Sequence, residues 1–235
     1  MLLLHGFGDT PQTLSYVAAS LHAAGFHVRA PLLPGHGRTV DEFDRSTAES
    51  WISHARGEYE SMVSAYRTVG LAGLSMGGAI AAIIAADDRR LPALVLLAPY
   101  VGMPGSVATA ALTHRVWGRF AGQFGASSVR SILDPEERAK NLAYGVTTAG
   151  SIHQLYRITR MARAALRSIK APTLIMQSRH DNRVAGKVAE YAYRTIPASD
   201  KRLVFVERGG HILTVDHDRE LVATSVRDWF TAHMG

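Results

Sequence analysis

Short apolar runs alternate with stretches of helical spacing along most of the chain. Leu2–Leu4 reads as a buried strand, followed by a glycine-rich loop over His5–Thr10. Thr10-Pro11 has the form of an N-cap with proline in the first turn, and Leu14, Val17, Ala18 and Leu21 then recur on one face until Gly25. Phe26–Ala30 reads as a second strand, ended by the Pro31–Gly37 turn cluster. A helix is expected over Ala48–Tyr66, with Trp51, Tyr59, Met62 and Val63 as candidates for burial. Val69–Leu74 is the third expected strand, Gly77–Ala86 a helix of small residues, Leu94–Leu97 the fourth strand and Leu174–Gln177 the fifth. A helix containing Ala189–Tyr193, a last strand at Leu203–Val206 and a closing helix over Glu220–Phe230 complete the pattern. Alternation of this kind predicts an α/β fold, a mostly parallel sheet with helices on both faces. Ligands of such sheets sit beyond the carboxyl ends of the strands.

The alternation stops between Met103 and Lys170. There the spacing predicts helices only, one starting at Asp134-Pro135-Glu136-Glu137 and a longer one running from Ser151 to Ser168. The expected organisation is a core of residues 1–102 and 171–235 with a small helical cap, 103–170, inserted between core strands. The first strand begins at Met1, which leaves two readings open: a sheet smaller than usual, or a chain lacking an N-terminal piece.

Composition removes several kinds of chemistry. With no cysteine among 235 residues, disulfides, a thiolate nucleophile and cysteine-ligated metals are excluded. The net charge of +6 is spread as arginine through every segment rather than set in one aromatic-lined stripe, so nucleic acid is not an expected partner. The apolar start Met1–Leu4 is too short for a leader or a membrane span, which predicts a cytoplasmic chain without stable membrane insertion.

The sharpest chemical signal is Gly73-Leu74-Ser75-Met76-Gly77, lying between an expected strand and an expected helix. That context is what a nucleophile elbow requires: a serine exposed on a tight turn where strand and helix nearly touch. A hydroxyl is a weak nucleophile near neutral pH and needs a base within hydrogen-bond reach. His211, in Glu207-Arg208-Gly209-Gly210-His211 after the last strand, is the histidine placed for that role. Its imidazole needs a carboxylate, and chain order puts that acid in a loop after a core strand, where Asp181 follows Leu174–Gln177. Asp200 precedes a strand, Asp134 lies in the cap, and Asp87 and Asp88 end the elbow helix, so each is poorly placed. Donors for a developing oxyanion are expected from the backbone N–H groups of Met76 and Phe7. His5 is expected to orient its loop, and His36 to serve the turn around it. The run containing His211, Asp216, His217 and Asp218 lacks metal-binding spacing and reads as a surface helix start. No metal and no other cofactor is expected.

Leu4-His5-Gly6-Phe7-Gly8, Pro31–Gly37, Gly73–Gly78, His180–Val184 and Gly209-Gly210-His211 occur in one order. Together they resemble the carboxylesterase and monoacylglycerol lipase group of the α/β-hydrolase superfamily, from Leu2 to about Phe230 and most weakly across the cap. The resemblance implies an α/β-hydrolase fold and a cofactor-free serine hydrolase acting on small-molecule esters, either short- to medium-chain acyl esters or monoacylglycerols. It also implies a substrate pocket shaped by the cap, for which Phe7, Trp117, Phe120, Phe124 and Leu155 are candidates; packing within the cap is an equal alternative for the cap residues. A thioesterase, an amidase or a carbon–carbon hydrolase would use the same triad. A ligand-binding receptor that keeps the architecture without turnover is the alternative of another class.

Overall fold

The computed structural model describes residues 1–120, 123–125 and 131–234. The strands among them are β1 (Leu2–Leu4), β2 (Leu71–Leu74), β3 (Leu94–Leu97), β4 (Gln123–Gly125), β5 (Val146–Thr148), β6 (Thr173–Ser178) and β7 (Lys201–Val206). Five of these form one sheet in the order β1-β2-β3-β6-β7, every neighbouring pair parallel. Strand period divides the core in two. Leu2, Leu4, Leu94 and Leu96 face one apolar cluster, while Leu3, Val95 and Leu97 face the other. Both faces are therefore buried, as a parallel sheet demands.

Helices supply the two covering layers. On one face lie α3 (Ala48–Ala65), α4 (Met76–Asp87) and α8 (Ala149–Ala165), joined by fully buried Trp51 and Phe43. On the other, α1 (Ser15–Ala23) packs against α10 (Arg219–Met234). Thr47 and Thr148 close capping boxes at the starts of α3 and α8, satisfying backbone donors that a helix start leaves unpaired. The small residues of α4 let it lie against the strands along its whole length, so that Met76 to Ala85 are all buried.

Three expectations are corrected. Phe26–Ala30 forms no strand; one parallel bridge joins Arg29 to Leu2, through Leu3 N–H to Arg29 O (2.9 Å) and Arg29 N–H to Met1 O (2.8 Å). Pro31 follows at once and has no N–H with which to extend the ladder. Residues 103–170 are not helical throughout. Besides α5 (Gly105–Leu112), α6 (His114–Trp117), α7 (Pro135–Lys140) and α8, they contain β4 and β5, which pair antiparallel. Strands of three residues that lie far apart in sequence leave too little local periodicity to be read. Val63, expected inside, is 38% exposed.

The long helix of this stretch begins at Ala149 rather than Ser151. Its Ile158 and Ala162 belong to the main apolar cluster under the sheet. No helix among the described residues is long and apolar enough to cross a membrane.

Candidate active site

Three distant segments meet at the carboxyl ends of the strands. Ser75 stands between β2 and α4 with φ 54° and ψ −113°, a conformation costly for a residue with a side chain. Its surroundings enforce the turn. Ser75 N–H donates to Leu97 O (2.8 Å), and Ser75 O accepts from Ala79 N–H and Tyr100 N–H, each at 3.0 Å. The flanking glycines are sterically required. A Cβ on Gly73 would stand 2.2 Å from Gly77 O, and one on Gly77 would stand 2.1 Å from Leu4 O. Strand, elbow helix and first loop thus touch backbone to backbone, which no larger residue allows.

His211 Nε2 lies 2.8 Å from Ser75 Oγ, and His211 Nδ1 lies 2.8 Å from Asp181 Oδ2. Nδ1–H donates to the carboxylate, leaving Nε2 to accept the serine proton. Asp181 Oδ1 accepts from Arg183 N–H (2.7 Å) and Val184 N–H (2.8 Å), while Oδ2 also accepts from Gln177 Nε2 (2.7 Å). Burial works against the charge on Asp181. The imidazole beside it, the hydrogen bond from His211 and the two N–H groups outweigh burial and hold the carboxyl below its usual range.

The loop after β1 packs against the elbow, a Cβ on Gly6 being 3.5 Å from Ser75 Cβ. Neither Phe7 N–H nor Met76 N–H, the latter at the first position of α4, has a protein acceptor among the described residues. Both are free to meet an anion. His5 explains the rigidity of this loop. Its Nδ1–H donates to Gly6 O (2.9 Å) and its Nε2 accepts from Leu33 N–H (3.0 Å), tying the loop to the Pro31–Gly37 turn. Burial, aided by His36 nearby, pushes His5 down to about 3. Burial takes His36 down to about 4.

A cavity of about 300 Å³ opens onto Ser75 and His211. Phe7 and Leu155 line it, together with Tyr100, Val107, Ile152 and Ile212. Trp117 and Phe120 do not form its wall. The Trp117 indole N–H donates to Ala110 O (2.7 Å), and Phe120 is 89% exposed. Trp117 ends the short α6 and Phe120 lies just beyond it, and residue type could not reveal where either side chain is directed. The side chain of Phe124 lies outside the described residues.

Several residues of the site carried no sequence signal of their own. Asp9 is buried in the cavity wall, its Oδ1 accepting from Thr10 N–H (2.8 Å), and burial pushes its carboxyl up to about 6. Gln177 lies within a strand, yet its amide donates to Asp181. Asp216 and Asp218 do stand just before a helix, α10, but they are buried and not at the surface. Asp216 accepts from Leu133, Asp134, Gly210 and His217 N–H at 2.7 to 2.9 Å. Asp218 accepts from Glu207 and Arg208 N–H at 3.0 and 2.7 Å. The two carboxylates gather the loop on both sides of His211. Acidic residues flanking the apolar run Ile212–Val215 were the available clue. No group of metal-ligating side chains is found among the described residues.

This geometry has known counterparts. A thermostable monoacylglycerol lipase from Bacillus sp. (strain H-257) is 27% identical over 235 residues, covering 100% of this chain and 91% of the relative. A carboxylesterase from Bacillus subtilis (strain 168) is 25% identical over 232 residues, covering 97% and 91%. Among solved structures, one from work on LipS and LipT, two metagenome-derived lipolytic enzymes, superposes with a TM-score of 0.89. It has 28% identity and covers 99% of this chain and 93% of that one. The family model for serine aminopeptidase, S33, matches residues 1–218, and the chain belongs to that family of α/β-hydrolases.

Proposed function

We propose that this protein hydrolyses carboxylic esters through an acyl-enzyme, with Ser75 as nucleophile, His211 as general base and then acid, and Asp181 orienting the imidazole. The observation carrying this reading is the continuous line Asp181–His211–Ser75, two contacts of 2.8 Å. Ser75 Oγ attacks the ester carbonyl as its proton passes to His211 Nε2, and the imidazolium is stabilised by Asp181. The N–H groups of Phe7 and Met76 receive the oxyanion. His211 then protonates the departing alcohol, and in the second half activates the water that releases the acid.

The wall of the cavity supports an ester over a peptide with a free amino terminus. Its carboxylate among the described residues is Asp9, which already accepts from Thr10 and which burial pushes up to about 6, while Arg183 faces the same space. That is a poor receptor for an ammonium group. A mostly apolar space of about 300 Å³ stands at the small end of ligand cavities and suits short to medium acyl chains or monoacylglycerols. Pro104, Val107, Asn141, Ile152 and Leu155 reach this wall from residues 103–170, which supports assigning that stretch as the cap. Relatives named monoacylglycerol lipase and carboxylesterase point the same way.

The test is turnover of p-nitrophenyl esters from acetate to palmitate beside a monoglyceride, with fluorophosphonate labelling. Ser75→Ala should lose on the order of a million-fold in kcat and all labelling. Near-native turnover by that variant, or an absence of turnover on every ester by the parent protein, refutes the reading.

A further inference from the structure

Beside the catalytic cavity lies a second and larger one, about 800 Å³, between α8, the start of α5 and the helix α9 (Gly186–Thr195). Its wall carries Arg160 and Arg163 from α8, Lys187 and Arg194 from α9, and Arg183 from the loop after β6. No carboxylate lines it among the described residues. Glu190 reaches Arg194 at 3.7 Å, and among the described residues Arg160, Arg163 and Lys187 have no carboxylate within ion-pair distance. Elsewhere among the described residues several cations are met by acids, Arg29 by Glu58, Arg56 by Asp87, Arg157 by Glu49 and Arg219 by Asp134, and others such as Arg38 and Arg67 stand singly. What marks this groove is that its cations share one wall. Arg160, Arg163 and Lys187 are like charges gathered in one wall and repel one another, and an anion relieves that repulsion.

Arg163 is also held in place. Its guanidinium stacks over the Tyr191 ring at 3.8 Å and its Nη1 lies 3.4 Å from Val101 O. A planar fork fixed in this way is suited to an oxyanion. The helices α5 and α9 also begin on the groove, neither with a side-chain cap nor an acid in its first turn, which adds to the positive field.

The groove adjoins the site of chemistry. Pro104 and Arg183 line both cavities. Arg183 N–H donates to Asp181 Oδ1, and its Nε donates to Ser131 Oγ (3.2 Å), another residue of the catalytic cavity. With the mostly apolar space at Ser75 taken by the acyl chain, the cationic groove is left for the other half of an ester.

We propose that this groove receives a phosphate carried on the alcohol portion of the substrate, so that the preferred esters are acyl esters of a phosphorylated alcohol. The proposal rests on the ester-hydrolase reading and extends it to a substrate class. Bond changes are those already described; the phosphate is bound and not transferred.

The experiment compares two soluble substrates with one acyl chain, 1-butyrylglycerol and 1-butyrylglycerol 3-phosphate, at low ionic strength. The phosphorylated ester should be favoured about tenfold in kcat/KM, as expected of a few charge contacts at a partly exposed site. The preference should shrink as salt is added. In the double variant Arg160→Gln/Lys187→Gln the ratio should approach one. Inorganic pyrophosphate should raise KM for the phosphorylated ester in the parent protein and leave the neutral one alone, a measurement needing no variant. A ratio near one in the parent protein overturns the proposal. So does charge dependence confined to vesicles containing anionic lipid, which would make the groove a membrane contact. If neither ester is turned over, and none of the p-nitrophenyl esters or monoglycerides is either, the ester-hydrolase reading has failed; calorimetric titration with pyrophosphate then judges the groove. Binding that the double variant loses supports it; no binding overturns it.

Discussion

Acidification from pH 7 to pH 5 should weaken this fold through two histidines kept neutral inside it. His5 and His36 have no exposed surface, and their rings meet edge to face with centroids 4.9 Å apart. Burial, with the neighbouring ring, takes His5 down to about 3, and burial takes His36 down to about 4. A proton on His5 Nε2 would also point at Leu33 N–H, which now donates to that nitrogen. Both groups bind protons more readily when unfolded. Their contribution is fully present above the ordinary histidine value and is lost as pH falls below it towards the folded values. At pH 5 each costs about 2 kcal/mol by linkage, against about 0.2 kcal/mol at pH 7. Asp9 acts in the opposite sense, because burial raises it to about 6, so the net slope understates the histidine effect.

A variant removes this ambiguity. His5→Gln offers an amide oxygen to Leu33 N–H and an amide donor to Gly6 O without a titrating proton. Urea unfolding can be followed by tryptophan fluorescence, since Trp51 is buried with its ring 5.3 Å from His36 and its indole N–H on Pro34 O. Between pH 7 and pH 5 the stability of the parent protein should fall more than that of His5→Gln, by about 2 kcal/mol. Equal slopes for the two proteins would refute the argument that His5 is held neutral by its burial.

Asp216→Ala strips four backbone N–H groups of their acceptor and should cost roughly 3 kcal/mol or more in urea unfolding. It should also lower kcat by releasing the His211 loop; an unchanged kcat in a folded variant would deny that role. Gly73→Ala puts a methyl 2.2 Å from Gly77 O and should destabilise by roughly 3 kcal/mol, read as a lowered midpoint of thermal unfolding. Asp9→Asn should stabilise the protein at pH 8 by up to about 3 kcal/mol, with the advantage vanishing below pH ~4. The sign follows from a carboxyl that burial raises to about 6, whose ionisation opposes folding as pH rises; equal gains at pH 8 and at ~4 would contradict it.

The chain itself determined the parts that depend on neighbours in sequence. Period-two and helical spacing are local, so β2, β3, β6, β7, α3, α4 and α10 were legible to within a few residues. Glycines at 73 and 77 are dictated by a backbone contact that only glycine permits, which is why the elbow and Ser75 could be read without coordinates. Chain order then pointed to Asp181 and His211, which the fold brings within 2.8 Å of one another. Tertiary structure decided what depends on partners far along the chain. Gln177 and Asp216 looked like a strand residue and a surface residue, because the hydrogen bonds that define them run to other segments. Trp117 and Phe120 turned away from the cavity, since the direction of a cap side chain is set by packing and not by residue type. The cationic groove exists only where α5, α8 and α9 converge. Charges scattered evenly in sequence can be gathered in space, because the Coulomb energy that gives them meaning depends on distance alone.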